Sequence, residues 1–216
     1  MIKASNIHKN FGDLEVLKGV DLEIGTGEIV SIVGASGAGK TTLLQILGTI
    51  EKPSNGQVVA NEVDLFKLSD KKIADFRNKN IGFIFQFHQL LSEFTAIENV
   101  MLPALIMGDD KKKAQKKAME LLEFLQLDKM ADKKPDSLSG GEQQRVAVSR
   151  ALINKPKVVL ADEPSGNLDS ANALALHELF LKLRDDFNQS FVIVTHNEKL
   201  ADMSNRKLVM KDGLLI

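Results

Sequence analysis

The segment Gly34-Ala35-Ser36-Gly37-Ala38-Gly39-Lys40-Thr41-Thr42 limits what this chain can fold into more than any other stretch. It follows "EIVSIV", a buried-strand pattern, and precedes "LLQIL", which reads as a helix. A strand that turns straight into a helix through glycines leaves backbone N–H groups pointing into the turn, with the positive end of the helix behind them. That arrangement cradles phosphate. In the pattern Gly34-x4-Gly39-Lys40-Thr41, Lys40 is placed to reach β- and γ-phosphates, and the Thr41 hydroxyl to bind Mg²⁺. The nine residues Gly34 to Thr42 are therefore candidate nucleotide ligands.

The rest of the chain supplies the setting such a loop needs. "IKASNIH" and "VLKGVDLEI" read as partly alternating strands near the start, and "QVVA" (57–60) follows the turn cluster "KPSNG". "IGFIF" (81–85), "KVVLADE" (157–163) and "SFVIVTH" (190–196) are further buried-strand patterns, and "KLVMKDGLLI" predicts a closing hairpin at Asp212–Gly213. Between these runs the period changes. Ala118, Leu121, Leu122 and Leu125 fall on one helix face, with Asp109 or Asp110 as its cap. A second helix is expected to begin near Gly140–Gly141, after Pro135. Ala173, Leu176, Phe180, Leu183 and Phe187 mark another helical face. The expectation is one α/β domain over residues 1–216: a nucleotide-binding core with a mainly parallel sheet from 1–85 and 157–216, and a helical insert over 86–156.

Two carboxylates end the "VVLADE" run. Asp162 is placed to hold Mg²⁺ and Glu163 to polarise an attacking water, at the end of a strand where such sheets bind ligands. Gln86 follows "IGFIF", where a neutral amide can ligate Mg²⁺ or sense the lytic water. His196 ends "FVIVTH" and can hydrogen-bond a γ-phosphate. An ordinary loop glutamine and a structural histidine are the plainer readings of those two residues taken alone. His8, His88 and His177 lack ligand spacing, so no protein-held zinc is expected. With 28 basic and 29 acidic residues there is no basic field of the kind that nucleic acid requires. The chain contains no cysteine, which excludes disulfides and thiolate metal sites. No apolar run reaches the length of a membrane span, and "MIKASNIHKNFG" lacks a signal-peptide pattern, so a membrane role is expected to come through a partner.

A second apparent phosphate cradle, "LSGGE" at 138–142, opens an amphipathic stretch. The ordered set of Phe11, the phosphate loop, Gln86, "LSGGE", "VVLADE", "SGNLD" (165–169) and His196 resembles the ATP-binding-cassette family over nearly the whole chain. The resemblance implies a P-loop NTPase core of RecA type, an N-terminal antiparallel β subdomain and a helical subdomain carrying the signature. It implies ATP and Mg²⁺ as cofactors, with Phe11 stacked on adenine, Thr41, Gln86 and Asp162 at the metal, and Lys40 at the phosphates. Glu163 would be the general base and His196 the switch histidine. It further implies a head-to-tail homodimer in which Ser139, Gly140, Gly141 and Asp169 act on nucleotide held by the partner's phosphate loop. This chain departs from the common pattern at Phe11 (more often tyrosine), Glu142 (often glutamine) and Ser165 (often threonine), none of them a phosphate or metal ligand.

The stretch "FQFHQLLSEFTAIENVMLP" (85–103) and "LADEPSGNLD" place the resemblance in the group of cassettes serving lipoprotein release, macrolide export and cell division, nearest the first. That implies a peripheral subunit on the cytoplasmic face of the inner membrane, bound to integral membrane transporter subunits. A soluble cassette ATPase acting on nucleic acid is the alternative from another class. Phe87, Leu90, Leu91 and Phe94 either line a groove for a partner's short helix or pack the helical insert. "KKKAQKK" (111–117) reads as a solvated helix face.

Overall fold

In the computed structural model, which describes residues 2–216, two sheets stand on either side of the helix that follows the phosphate loop. β1 (Ile2–Phe11), β2 (Leu14–Ile24), β4 (Asn55–Ala60) and β5 (Val63–Asp64) form an antiparallel sheet in the order β2-β1-β4-β5. β3 (Ile29–Val33), β6 (Ile81–Ile84), β7 (Val158–Asp162), β8 (Ser190–Val194), β9 (Arg206–Lys211) and β10 (Leu214–Leu215) form the other, ordered β10-β9-β3-β8-β7-β6. All its pairings are parallel except the final hairpin of β9 and β10. β3 and β8 are buried at every residue, Ser31 and Ser190 included, as strands covered on both faces must be.

One core lies between the antiparallel sheet, helix α1 (Lys40–Leu47) and the near face of the parallel sheet, where Ile7, Leu17, Leu43, Leu47, Leu160 and Val194 meet. A second covers the far face, with α6 (Ser170–Phe187) contributing Leu176, Phe180 and Leu183. Phe187 does not join them. It is exposed as the last residue of α6, edge-on to Phe124.

A third core belongs to helices alone. α3 (Ala96–Met107) and α4 (Lys111–Phe124) pack with α5 (Gly140–Leu152) through Val100, Ala118, Leu122 and Val146. Asp110 caps α4 through the backbone N–H of Lys113, while Asp109 pairs with Lys113 and Lys117, so the two adjacent acids divide the roles. α5 belongs to both halves, since its Val148, Ala151 and Leu152 pack on the parallel sheet. Neither α3 nor α2 (Asp70–Asn80) is evident as periodicity. α2 buries no residue, and α3 is apolar nearly all round and contains Pro103. Its visible signal is local: a capping box between Thr95 and Glu98. A short α7 (Glu198–Asp202) leads into β9. Among the described residues no helix is long and apolar enough to cross a membrane.

The loop after β3 is held tightly at its first residue. Gly34 has φ 152°, and a Cβ there would lie 2.1 Å from the Met210 carbonyl oxygen on neighbouring β9. Gly34→Ala therefore forces strand β9 outward. We expect a loss of about 3 kcal/mol or more in stability, read as a lower urea midpoint with unchanged m-value.

Candidate active site

Adjacent pairing of β3, β8 and β7 brings three strand ends to one edge of the sheet. A cavity of 630 Å³ opens there, lined by the phosphate loop, Asp162, Glu163, His196 and Gln86, with apolar walls from Leu14, Val16 and Val194. None of the three is a candidate site residue by sequence: Leu14 and Val16 come from β2 of the antiparallel sheet, and Val194 is the last residue of β8.

Lys40 is the first residue of α1, and its ammonium group donates to the carbonyls of Gly34 (2.7 Å) and Ala35 (2.9 Å). It thus lies across the loop rather than out in solvent. Ser36, Gly37, Gly39, Thr41 and Thr42 also line the cavity, whereas the Ala38 side chain is buried in the core beneath.

Thr41 and Asp162 meet directly. The Thr41 hydroxyl donates to the Asp162 carboxylate at 3.0 and 3.2 Å. Burial pushes the Asp162 carboxyl above its ordinary range, partly offset by the Thr41 hydrogen bond; the neighbouring Glu163 raises it and Lys40 lowers it. An oxygen pair of this kind, short of positive charge and beside a phosphate-sized cradle, fits a hard divalent cation such as Mg²⁺.

Glu163 follows β7 with φ 46°, a left-handed setting that bends the chain out of the sheet; its N–H donates to the Val194 carbonyl at 2.9 Å. Its carboxylate accepts from the His196 backbone N–H (3.2 Å) and lies 2.9 Å from His196 Nδ1. Glu163 is mostly covered while the His196 ring is exposed, so the acid is fixed and the histidine caps it from outside. Gln86 lies two residues beyond β6, and its side chain donates to Asn167 Oδ1 (3.3 Å). Asn167 in turn donates to the Gln86 carbonyl (3.0 Å). Asn167 stands inside "SGNLD", but its partnership with Gln86 links residues 81 apart in sequence and has no local signal.

The remaining candidates lie off this cavity. Phe11, at the end of β1, is half exposed with the Lys9 ammonium 4.7 Å from its ring centre. Ser139 caps α5 in a capping box: the Glu142 carboxylate accepts from the Ser139 N–H and hydroxyl, both at 2.7 Å. Those bonds hold the Glu142 carboxyl below its usual range. Asp169 caps α6, accepting from Asn172 N–H and Nδ2 at 2.8 Å each. Gly141 packs against that same Asn172, where a Cβ would fall 2.6 Å from its Oδ1. The glycine-rich start of α5 and the Asp169-capped start of α6 therefore form one surface, which does not line the cavity at the chain's own phosphate loop.

Comparison with known proteins matches the ABC transporter family model to residues 17–166. The chain belongs to the ABC transporter family. An ABC transporter ATPase hydrolyses ATP in a reaction coupled to transport, and this chain shares that activity. It is 57% identical over 216 residues to the "Lipoprotein-releasing system ATP-binding protein LolD" of Cytophaga hutchinsonii, spanning 100% of this chain and 99% of that one. The protein of the same name from Bacteroides thetaiotaomicron is 59% identical over 215 residues, with 100% and 99% covered. Among solved structures, the dimeric form of the bacterial ABC transporter cassette MJ0796 superimposes with a TM-score of 0.91 at 39% identity, covering 100% of this chain and 96% of that one. A dimeric post-hydrolysis state of the same cassette, bound to ADP and Pi, gives 0.90 at 38%, with 100% and 96% covered.

In this ABC ATPase the raised Asp162 carboxyl has a thermodynamic consequence. A carboxyl whose folded pKa lies above its unfolded value destabilises the fold once ionised, and this cost is relieved as pH falls through the folded pKa. Asp162→Asn should raise the melting temperature of the metal-free protein at neutral pH, and should remove the further stabilisation that Mg²⁺ with ATP gives the wild type. Scanning fluorimetry with and without MgATP reads both.

Proposed function

We propose that this chain is the ATP-hydrolysing subunit of a lipoprotein-releasing transporter, working as a homodimer on the cytoplasmic face of the inner membrane beneath integral membrane subunits. The observation that carries the role in lipoprotein release is identity of 57% and 59% along the full chain to proteins named for it. The dimer is supported by the likeness to dimeric cassettes and by the off-cavity position of Ser139 and Asp169. Residues 86–156 are assigned as the helical subdomain and the remainder as the nucleotide-binding core.

In this reading the phosphate loop N–H groups and Lys40 bind the phosphates of ATP, Lys40 exchanging its bonds to Gly34 and Ala35 for phosphate oxygens. Phe11 stacks on adenine. Thr41, Asp162 and Gln86 hold Mg²⁺, which when bound neutralises charge on the β- and γ-phosphates. Glu163 takes the proton of the attacking water. His196, already against Glu163, orients that carboxylate and donates toward the γ-phosphate. Ser139, Gly140 and Gly141 supply donors at the start of α5 to the γ-phosphate held by the partner, with Asp169 crossing beside them. Hydrolysis removes the group that both chains grip, so the dimer opens and the membrane subunits move.

Depletion in the native host, followed by membrane fractionation, tests the transport role. Lipoproteins retained in the inner membrane support it. Normal lipoprotein sorting with filamentous cells or lost drug efflux would reassign the motor within its group. Two substitutions test the chemistry. Glu163→Gln should lower kcat by about a hundredfold or more while ATP still drives a stable dimer, measured by turnover and analytical ultracentrifugation. Ser139→Ala should cut kcat by about a hundredfold while leaving ATP affinity of the isolated monomer unchanged by calorimetry.

A further inference from the structure

Arg150 sits at the opposite end of α5 from Ser139, roughly 16 Å away at 1.5 Å per residue. Its guanidinium donates to two consecutive carbonyls, Gln89 O at 2.6 Å and His88 O at 2.8 Å. It is largely withdrawn from solvent and no acidic partner offsets that burial. Both residues it grips are in the left-handed region, His88 at φ 55° and Gln89 at φ 49°, although neither is glycine. The Gln89 N–H also turns back onto the Phe87 carbonyl. Two adjacent left-handed residues with Cβ atoms are unfavourable unless surrounding contacts hold them.

The same helix touches this loop a second time. Gln143, two turns before Arg150 and so on the same face, meets the His88 ring, and its amide donates to the carbonyl of Leu138 (3.1 Å), the residue before Ser139. The far side of the loop is fastened by the fully buried Asn99, which exchanges hydrogen bonds with Leu91. Gln86 therefore enters the cavity from a short strained loop in which His88 and Gln89 are gripped by α5 and Leu91 by Asn99 of α3, while Phe87 is 73% exposed.

We propose that Arg150 is a positioning residue for the ATPase reaction: its two-pronged grip on His88 and Gln89 sets the loop that delivers Gln86, and ties that loop through α5 to Ser139. A guanidinium suits this position because its planar fork satisfies two carbonyls at fixed separation, which a lysine ammonium cannot reproduce. A push on the exposed Phe87 would then reach both the chain's own cavity through Gln86 and the start of α5 through Arg150. The inference rests on the proposed role of Gln86 at the reacting phosphate.

The test compares wild type, Arg150→Lys, Gln86→Ala and the double variant as full-length proteins. Amide exchange is measured over residues 85–91 and over α1, together with kcat, KM and affinity for ATP without Mg²⁺. For Arg150→Lys we expect faster exchange confined to 85–91, unchanged ATP affinity, and kcat lower by about ten- to a hundredfold. The double variant should turn over no more slowly than Gln86→Ala alone, because Arg150 acts through Gln86. Unchanged exchange at 85–91, uniformly faster exchange throughout the chain, or kcat losses that multiply in the double variant would each overturn the proposal. If Gln86→Ala itself leaves kcat intact, the role of Gln86 fails, while local loosening in Arg150→Lys would still show the grip.

Discussion

The pairing of β3, β8 and β7 as adjacent parallel strands is the constraint from which the site follows. Parallel register sets Ile32 beside Val194 and Asp162 beside Val194, so the chain leaves all three strands along one edge. Two bonds extend the pairing past the strand ends: Thr195 N–H to Ile32 O, and Glu163 N–H to Val194 O. The second fixes Glu163 in its left-handed turn and aims its carboxylate at His196. Without that register, the phosphate loop, the adjacent acids Asp162 and Glu163, and His196 lie on three unrelated segments.

The same edge concentrates charge that the fold by itself does not favour. Asp162 is half-buried beside Glu163, with only a threonine hydroxyl bonded to it and Lys40 turned to the loop carbonyls. A core selected for stability alone would place an amide or an apolar group there. In the proposed role of Asp162 at Mg²⁺, arrival of cation and phosphate would offset that cost and link nucleotide state to the stability of the strand edge. Glu163 and the His88–Gln89 pair hold left-handed conformations at the acid- and amide-bearing turns, as do turn residues elsewhere such as Asn61 and Glu62.

α5 joins the two halves of the molecule. Its first turn carries Ser139, its middle packs on α3 and α4, and its last turn packs on the parallel sheet and grips the Gln86 loop. A helix packed on both sides transmits displacement as a body instead of absorbing it. The start of the helix and the loop at its end are thus mechanically one piece.

Much of this is written in short-range pattern. The phosphate loop, the buried strands ending in Asp162 and Val194, the caps at Asp110 and Ser139, and the closing hairpin are all local, because backbone turns and caps depend on neighbouring residues. Helix α3 leaves no periodic trace because it is apolar nearly all round, and α2 leaves little because only Ile73 and Phe76 mark its covered face. Phe187 fits the α6 spacing but is exposed at the last residue of the helix, because periodicity marks a face and not how far along it the packing extends. The sequence by itself determined which segments turn, cap and bury, and which residue types stand ready for phosphate and cation. Only the tertiary structure decided that Thr41 meets Asp162, that Glu163 meets His196, that Asn167 holds Gln86 and that Arg150 holds its loop. Those partners lie tens to more than a hundred residues apart, and only the order of strands in the sheet brings them within a hydrogen bond's length.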